Sequence, residues 1–234
     1  TNLCKKKNIK IFTLRESKKF NKIKASSEFT FALMLSVVRK IDKAQKIVKS
    51  GYWRNVESLL RTSELENKNL GIIGFGRIGS NLAKYANSFG MNVFSYDKYK
   101  IIKKKNVKQE HNIKKLLENS DIVCCCINYI KSNENFFSKN LFKHMKKGSY
   151  FINTSRGETV VEKDLIHFLK KKKIKAAGVD VVWDEHNIHK KNNLLIEHSK
   201  KNDNLTVTPH IAGLTYESET KAAKIATNFI YKNL

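Results

Sequence analysis

Residues 70–97 read LGIIGFGRIGSNLAKYANSFGMNVFSYD, and this stretch decides the fold. A short apolar run leads into Gly74, Gly76 and Gly79, spaced G-x-G-x-x-G. Residues 77–89 read as a helix ending at Gly90, and MNVFSYD as a second strand ending in Asp97. Strand, glycine turn, helix, strand and acid stand in the order that dinucleotide binding requires. The first glycine makes the tight turn, the second lets a pyrophosphate approach the backbone, and the third lets the helix pack on the strand. The helix N-terminus offers free N–H groups and a partial positive charge to the phosphates, with Arg77 and Ile78 at that turn. Asp97 lies where an acid accepts from the adenosine ribose hydroxyls. Its charge repels a 2′-phosphate, which favours NAD over NADP, and the nearby Lys98 and Lys100 soften that preference.

The same rhythm continues downstream. Residues 111–119, 138–146 and 162–173 read as helices, and DIVCCCI, SYFINT, IKAAGVDVV and NLTVTPH as strands. A final helix covers 214–233. Near-continuous apolar strands alternating with helices predict an α/β fold with a doubly wound parallel sheet of the Rossmann type. Upstream, IKIFTL at 9–14 reads as a short strand, followed by a Lys-rich linker. Residues 26–50 read as one long helix, with Ser26 and Ser27 as caps, apolar residues at Phe29, Leu33, Val37 and Ile41, and Gly51 closing it. No internal repeat is present.

The 234 residues are 41% hydrophobic and 29% charged, as in an ordinary globular protein. The net charge is +25, from 46 Lys and Arg against 21 Asp and Glu. Only six of these cations are Arg, the bidentate reader of phosphates and bases. The Lys runs at 5–7, 103–105 and 170–173 sit among Asn and Ile, the pattern of solvated faces and a biased base composition. They predict no specific nucleic-acid partner. No apolar run approaches the roughly 20 residues that span a bilayer, so no membrane partner is expected. Cys124, Cys125 and Cys126 are adjacent on a strand, so their side chains point to alternate faces and cannot converge on one metal. They read as core thiols, and unpaired thiols favour a reducing cytoplasm. His186, His189 and His198 lie in a Lys- and Asn-rich stretch that reads as solvated loop, so no metal site is expected.

Three segments end strands at the carboxyl edge, where open α/β sheets place ligands. They are Asn153-Thr154-Ser155-Arg156-Gly157, Asp180 to Glu185, and Thr208-Pro209-His210 to Gly213. An Arg there can clamp a carboxylate through its planar fork. A Glu bonded to one imidazole nitrogen orients the ring and stabilises its protonated form. Arg156, Glu185 and His210 together suit hydride transfer between NAD and a 2-hydroxy or 2-oxo acid.

The chain resembles the D-isomer-specific 2-hydroxyacid dehydrogenases, the group containing D-3-phosphoglycerate, D-lactate and glyoxylate/hydroxypyruvate enzymes. SEFTFALMLSVVRKI at 27–41 is similar to the family's interdomain helix, and residues 70–97 to its cofactor segment. INTSRGETVVEKDL, AAGVDVVWDE and VTPHIAG are similar to its three active-site segments. The resemblance implies that Arg156 binds the substrate carboxylate, that His210 is the acid/base, and that Glu185 is its paired carboxylate. It implies cofactor contacts at Thr154, Ser155, Asp180 and Gly213. The family often has Pro after the Glu, where this chain has His186, and then Asp184 is the alternative partner. It often has His-Val-Pro where this chain has Cys126-Ile127-Asn128.

The resemblance also implies two lobes. Residues 1–22 correspond to the end of a flavodoxin-like substrate domain, 23–213 to the NAD-binding domain, and 214–234 to a helix returning to the substrate domain. The loop whose backbone holds the substrate carboxylate then lies at or before Thr1, and residues 1–234 are expected to bind NAD but turn over poorly. A homodimer is expected, with helix 26–50 near its interface. An NAD(H)-sensing scaffold or corepressor on the same fold is the alternative function.

Overall fold

A computed structural model describes residues 2–11, 13, 14, 17–188 and 192–232. In chain order the helices and strands are α1 (Asn2–Lys6), α2 (Ala25–Arg39), α3 (Ile41–Lys49), α4 (Glu57–Leu60), β1 (Asn69–Ile73), α5 (Arg77–Ser88), β2 (Asn92–Tyr96) and β3 (Lys108–Gln109). There follow α6 (Ile113–Asn119), β4 (Ile122–Cys125), α7 (Lys139–Phe142), β5 (Ser149–Asn153), α8 (Glu162–Lys170), β6 (Ile174–Val179), α9 (Leu194–Lys201), β7 (Leu205–Val207) and α10 (Tyr216–Tyr231).

The strands form one sheet in the order β3-β2-β1-β4-β5-β6-β7, and every pairing is parallel. Parallel strands need crossovers, and the helices that provide them cover both faces. The β1 and β4 strands are neighbours although the chain leaves β1 toward β2, so the winding reverses between them. A crevice opens at such a switch point, beyond the carboxyl ends of the strands.

The pleat divides the core in two. Ile72 and Cys124 join Met34, Val37, Leu82 and Ile122 on the face covered by α2 and α5. Ile73 and Cys125 join Leu116, Phe142, Phe151 and Leu165 on the other face. Each of these large side chains stabilises the fold by about 1.5–3 kcal/mol on full burial. Adjacent cysteines therefore do face opposite layers, and all four cysteines are free.

Several expectations from the sequence are corrected. The described part of 9–14 forms no strand, and Ile9 and Ile11 are exposed. A strand's backbone groups need a pairing partner, and the sheet offers this segment none; Phe12 lies outside the described residues. The 26–50 helix is two helices, broken at Lys40 in the left-handed region (φ 55°). The Lys40 Nζ donates to Leu59 O (2.9 Å) and Arg61 O (3.2 Å), contacts that hold the bend. The predicted 138–146 helix contracts to α7, and the short β3 and α9 were not foreseen. His198 is a buried residue of α9 rather than part of a solvated loop. Its Nε2 lies 3.1 Å from Asn204 Oδ1. His186 is exposed, and His189 lies outside the described residues.

No helix among the described residues is long and apolar enough to cross a membrane. Among those residues no cluster of three His, Cys, Asp or Glu side chains is placed to hold a metal ion.

Candidate functional site

At two of its three glycines the turn leaves no room for a side chain. Gly74 has φ +96°, and a Cβ there would lie 2.8 Å from Cys126 O. A Cβ on Gly79 would lie 2.2 Å from Gly74 O, so this residue lets α5 close onto the turn. Gly76 caps α5 with no side-chain hydrogen bond, and open space surrounds its missing Cβ. The first N–H groups of the helix thus face a free hollow, the arrangement that receives phosphates.

Asp97 sits at the end of β2 with both oxygens engaged. Its Oδ2 accepts from Phe75 N (2.8 Å), and its Oδ1 from Tyr99 N (2.9 Å) and Lys100 N (3.1 Å). The acid therefore organises the turn. The half-buried Arg77 side chain is tied to the segment before α2. Its Nη1 donates to Ile23 O (2.6 Å), and its guanidinium lies 4.6 Å from the centre of the Phe20 ring.

The Arg156 turn is shaped by Asn153 at the end of β5. Asn153 Oδ1 accepts from Ser155 N (3.0 Å) and Oγ (2.7 Å), and its Nδ2 donates to Arg156 O (3.1 Å). Thr154 and Ser155 are buried. Thr30 Oγ1 donates its proton to Ser26 O (2.6 Å), so the Thr154 hydroxyl must be the donor in its 2.6 Å contact with Thr30. The Arg156 side chain is exposed, its Nη1 donating to Ser155 O (2.7 Å).

His210 follows β7 in the left-handed region, at φ 55°. Its Nδ1 lies 2.8 Å and 2.9 Å from the two Glu185 oxygens. Asp184 is occupied elsewhere, its Oδ1 accepting from Asn187 Nδ2 (2.8 Å). The loop is held from below by the fully buried Asp180. Asp180 Oδ1 accepts from Thr208 Oγ1 (2.6 Å) and Ile211 N (3.0 Å), and its Oδ2 from Ala212 N (2.8 Å).

A groove of about 600 Å³ joins these parts. Gly76, Arg77, Ile78, Thr154, Ser155, Arg156, His210 and Gly213 all line it. A smaller hollow of about 210 Å³ adjoins it at Gly76 and Cys126, and is lined by Gly74 and Asp97. Gly79 lies buried beneath the turn. Asp180 and Glu185 do not reach the groove; they border an apolar cavity of about 610 Å³ on the far side of His210. The connected hollows, the uncapped helix and the glycine turn fit a dinucleotide lying across the switch point.

One residue of the site was missed. Buried Glu162 begins α8 and brackets the Glu185 loop. Its Oε1 accepts from Trp183 N (2.8 Å), and both its oxygens accept from Asn193 Nδ2 (3.0 Å each). The only sequence signal was its place six residues after Arg156, which read as a helix start. Burial pushes its carboxyl pKa up. A raised folded pKa means that the proton-linked part of its contribution to stability is fully present below the unfolded value and is lost as pH rises through the folded one, whereas the hydrogen bonds that the carboxylate accepts persist. Glu162→Ala unties Trp183, and is expected to cost roughly 2 kcal/mol. Urea unfolding at neutral pH checks this; an unchanged midpoint would contradict it.

A sheet wound in this order, with an uncapped glycine turn and an acid just after the next strand, defines a nucleotide-binding domain of the dehydrogenase type. Residues 31–212 match the model of the D-isomer specific 2-hydroxyacid dehydrogenase NAD binding domain, and the chain belongs to this family. It is 34% identical over 206 residues to the hydroxypyruvate reductase of Blautia hydrogenotrophica, covering 86% of this chain and 62% of that protein. It is 34% identical over 214 residues to the glyoxylate reductase of Thermococcus litoralis, covering 88% of this chain and 62% of that one. The chain thus spans less than two thirds of these relatives' own length. The crystal structure of Aquifex aeolicus D-lactate dehydrogenase, complexed with NAD and lactic acid, superposes with a TM-score of 0.84 at 28% identity, over 98% of this chain and 71% of that one.

Proposed function

We propose that the protein is an NAD-dependent D-2-hydroxyacid dehydrogenase, interconverting a 2-hydroxy acid and its 2-oxo acid. The observation that carries this reading is the Glu185–His210 pair, with a 2.8 Å contact, whose His210 lines the same groove as Arg156 and the glycine turn.

Gly74, Gly76 and Gly79 give the pyrophosphate its close approach, with Arg77 and Ile78 beside it. Asp97 takes the adenosine ribose. The backbones of Thr154, Ser155 and Gly213 line the nicotinamide end, and Asp180 supports that end from beneath. When bound, NAD supplies the hydride acceptor, and NADH the donor, for C2 of the substrate. Arg156 binds the substrate carboxylate and polarises the carbonyl; its guanidinium leaves Ser155 O to do so. Glu185 holds the His210 Nδ1–H, which leaves Nε2 to carry the exchanged proton. His210 gives that proton to the carbonyl oxygen in reduction and removes it from the hydroxyl in oxidation.

The two ends of the chain read as parts of the substrate lobe. Support comes from α10, which packs against the turn Lys18–Lys22. The homodimer reading is supported by α3, which buries none of its residues, and by the exposed Ile41, Val48, Tyr52 and Trp53 on and after it.

The test uses the full-length protein and follows NADH absorbance at 340 nm with a panel of 2-oxo acids: phosphohydroxypyruvate, hydroxypyruvate, pyruvate, glyoxylate and branched oxo acids. Stereospecific turnover of one of them is expected. NADH binding that changes a protein partner's affinity, with no turnover across the panel, would favour a sensing scaffold instead.

A further inference from the structure

The segment that follows Arg156 and the loop that carries Glu185 meet at one buried carboxylate. Glu162 opens α8 and accepts from Trp183 N (2.8 Å) and from Asn193 Nδ2 (3.0 Å to each oxygen). These two donors stand on either side of Glu185 in the chain. Trp183 comes shortly before it, and Asn193 caps α9 by accepting from Leu195 N (2.9 Å) and Ile196 N (3.2 Å). A single side chain thus grips the backbone ahead of Glu185 and the helix cap beyond it.

The grip lies close to the reacting groups. A Cβ on Gly157 would lie 1.9 Å from Val182 O, so the backbone next to Arg156 is pressed onto the residue before Trp183. Asp184 follows in the left-handed region (φ 54°), a conformation that a residue with a side chain keeps only where its surroundings fix it. Glu185 comes next and meets His210 Nδ1. The direction in which Glu185 leaves the chain is therefore set by Trp183 and by the constrained Asp184.

Stability alone gives a poor account of this carboxylate. Among the described residues no cation pairs with it, although Lys163 lines the neighbouring hollow together with Glu134. A buried carboxylate that meets only neutral donors is unfavourable, and local departures of this kind concentrate at functional sites. Glu162 does not line the groove that holds Arg156 and His210. Any effect on the reaction must pass through a residue that it holds.

We propose that Glu162 is a positioning residue for proton transfer: by gripping Trp183 and Asn193 it aims Glu185 at His210 and so fixes the plane of the imidazole. The inference rests on reading Glu185 and His210 as the acid/base pair.

The experiment uses the full-length protein. It follows turnover on the oxo acid that the panel identifies, NADH binding, and the proton NMR signal of the His210 ring N–H, assigned by its loss in His210→Ala. Glu162→Ala is expected to lower kcat by about tenfold, the effect of a slightly misaimed group, with KM and NADH affinity within about twofold of the parent. The ring N–H signal should shift. Glu162→Gln still accepts from Trp183 N but turns a donor toward Asn193 Nδ2, and should recover most of the turnover. Asn193→Ala removes only the second tie and should lower kcat by about threefold, which keeps the test open should the Glu162→Ala protein not fold. In a Glu185→Gln background, Glu162→Ala should lower kcat by about twofold or less, because its route to the imidazole is already impaired. Fully additive losses in that background, or parental kcat with an unmoved ring signal in the folded variants, overturn the proposal. Absence of turnover by the parent would instead overturn the acid/base reading. The ring signal then decides the positioning role by itself: a shift on Glu162→Ala supports it, and an unmoved signal overturns it.

Discussion

His210→Ala is expected to lower kcat by about 10³-fold while leaving NADH binding within about twofold of the parent. The geometry explains why the effect should divide this way. The ring meets both Glu185 oxygens through Nδ1, which fixes its plane and leaves Nε2 for the reacting oxygen. Its charged neighbours do not replace it: Asp180 is buried and its oxygens are occupied, while the Arg156 guanidinium is a donor with no acceptor site. The phosphate and ribose contacts lie at the glycine turn and Asp97, so cofactor affinity should survive. Glu185→Gln should give a smaller loss, because it removes the charge that stabilises the imidazolium while keeping a side chain that can bond the ring. The measurement is steady-state turnover on the oxo acid identified by the panel, with a parallel NADH titration. A His210→Ala protein with parental turnover would refute the acid/base assignment.

Asp180→Ala is expected to have the largest effect on stability. The substitution leaves Thr208 Oγ1, Ile211 N and Ala212 N without their acceptor in a buried place. Each orphaned donor costs about 1–3 kcal/mol, so a total of about 3 kcal/mol or more is expected. For a chain of this size that lowers Tm by about 6–12 °C. The three donors bracket His210, so kcat should fall as well, even in protein that remains folded. Asp180→Asn keeps one acceptor oxygen and should recover part of the stability. Differential scanning calorimetry on the three proteins checks the order; an alanine variant as stable as the parent would show that the 208–212 loop does not depend on this carboxylate.

The part of the fold that was legible in the sequence is the part set by local chemistry. The strands β1, β4 and β5 are buried on both faces, so each reads as an apolar run, and the glycine turn carries its geometry in its residue types. What the sequence hid depends on distant contacts. The break at Lys40 is held by bonds from its Nζ to carbonyls 19 and 21 residues further on, which no helical period can reveal. The α9 helix is masked by its Lys and Asn neighbours, although Asn193 caps it through Leu195 N and Ile196 N, and Leu195 and His198 are buried. The candidate site followed the same division. Arg156, Glu185 and His210 stand out as residues that carry chemistry at strand ends, whereas Glu162 shows its tie to the Glu185 loop only once α8 is folded against Trp183. Asp180 was read as a cofactor contact, and its three bonds to the 208–212 loop became visible only in three dimensions.

The hydrogen bond between Thr30 and Thr154 has a mechanical meaning. The α2 helix has 15 residues and is therefore a stiff bar about 22 Å long. The bar is fastened near its first turn to the residue two before Arg156. A tilt of α2 is thus transmitted to the arginine as a lever transmits displacement to its short arm. The base of the guanidinium is geared to this helix. The aim of Arg156 is consequently a property of helix orientation, and any force that rocks α2 against the sheet retunes it.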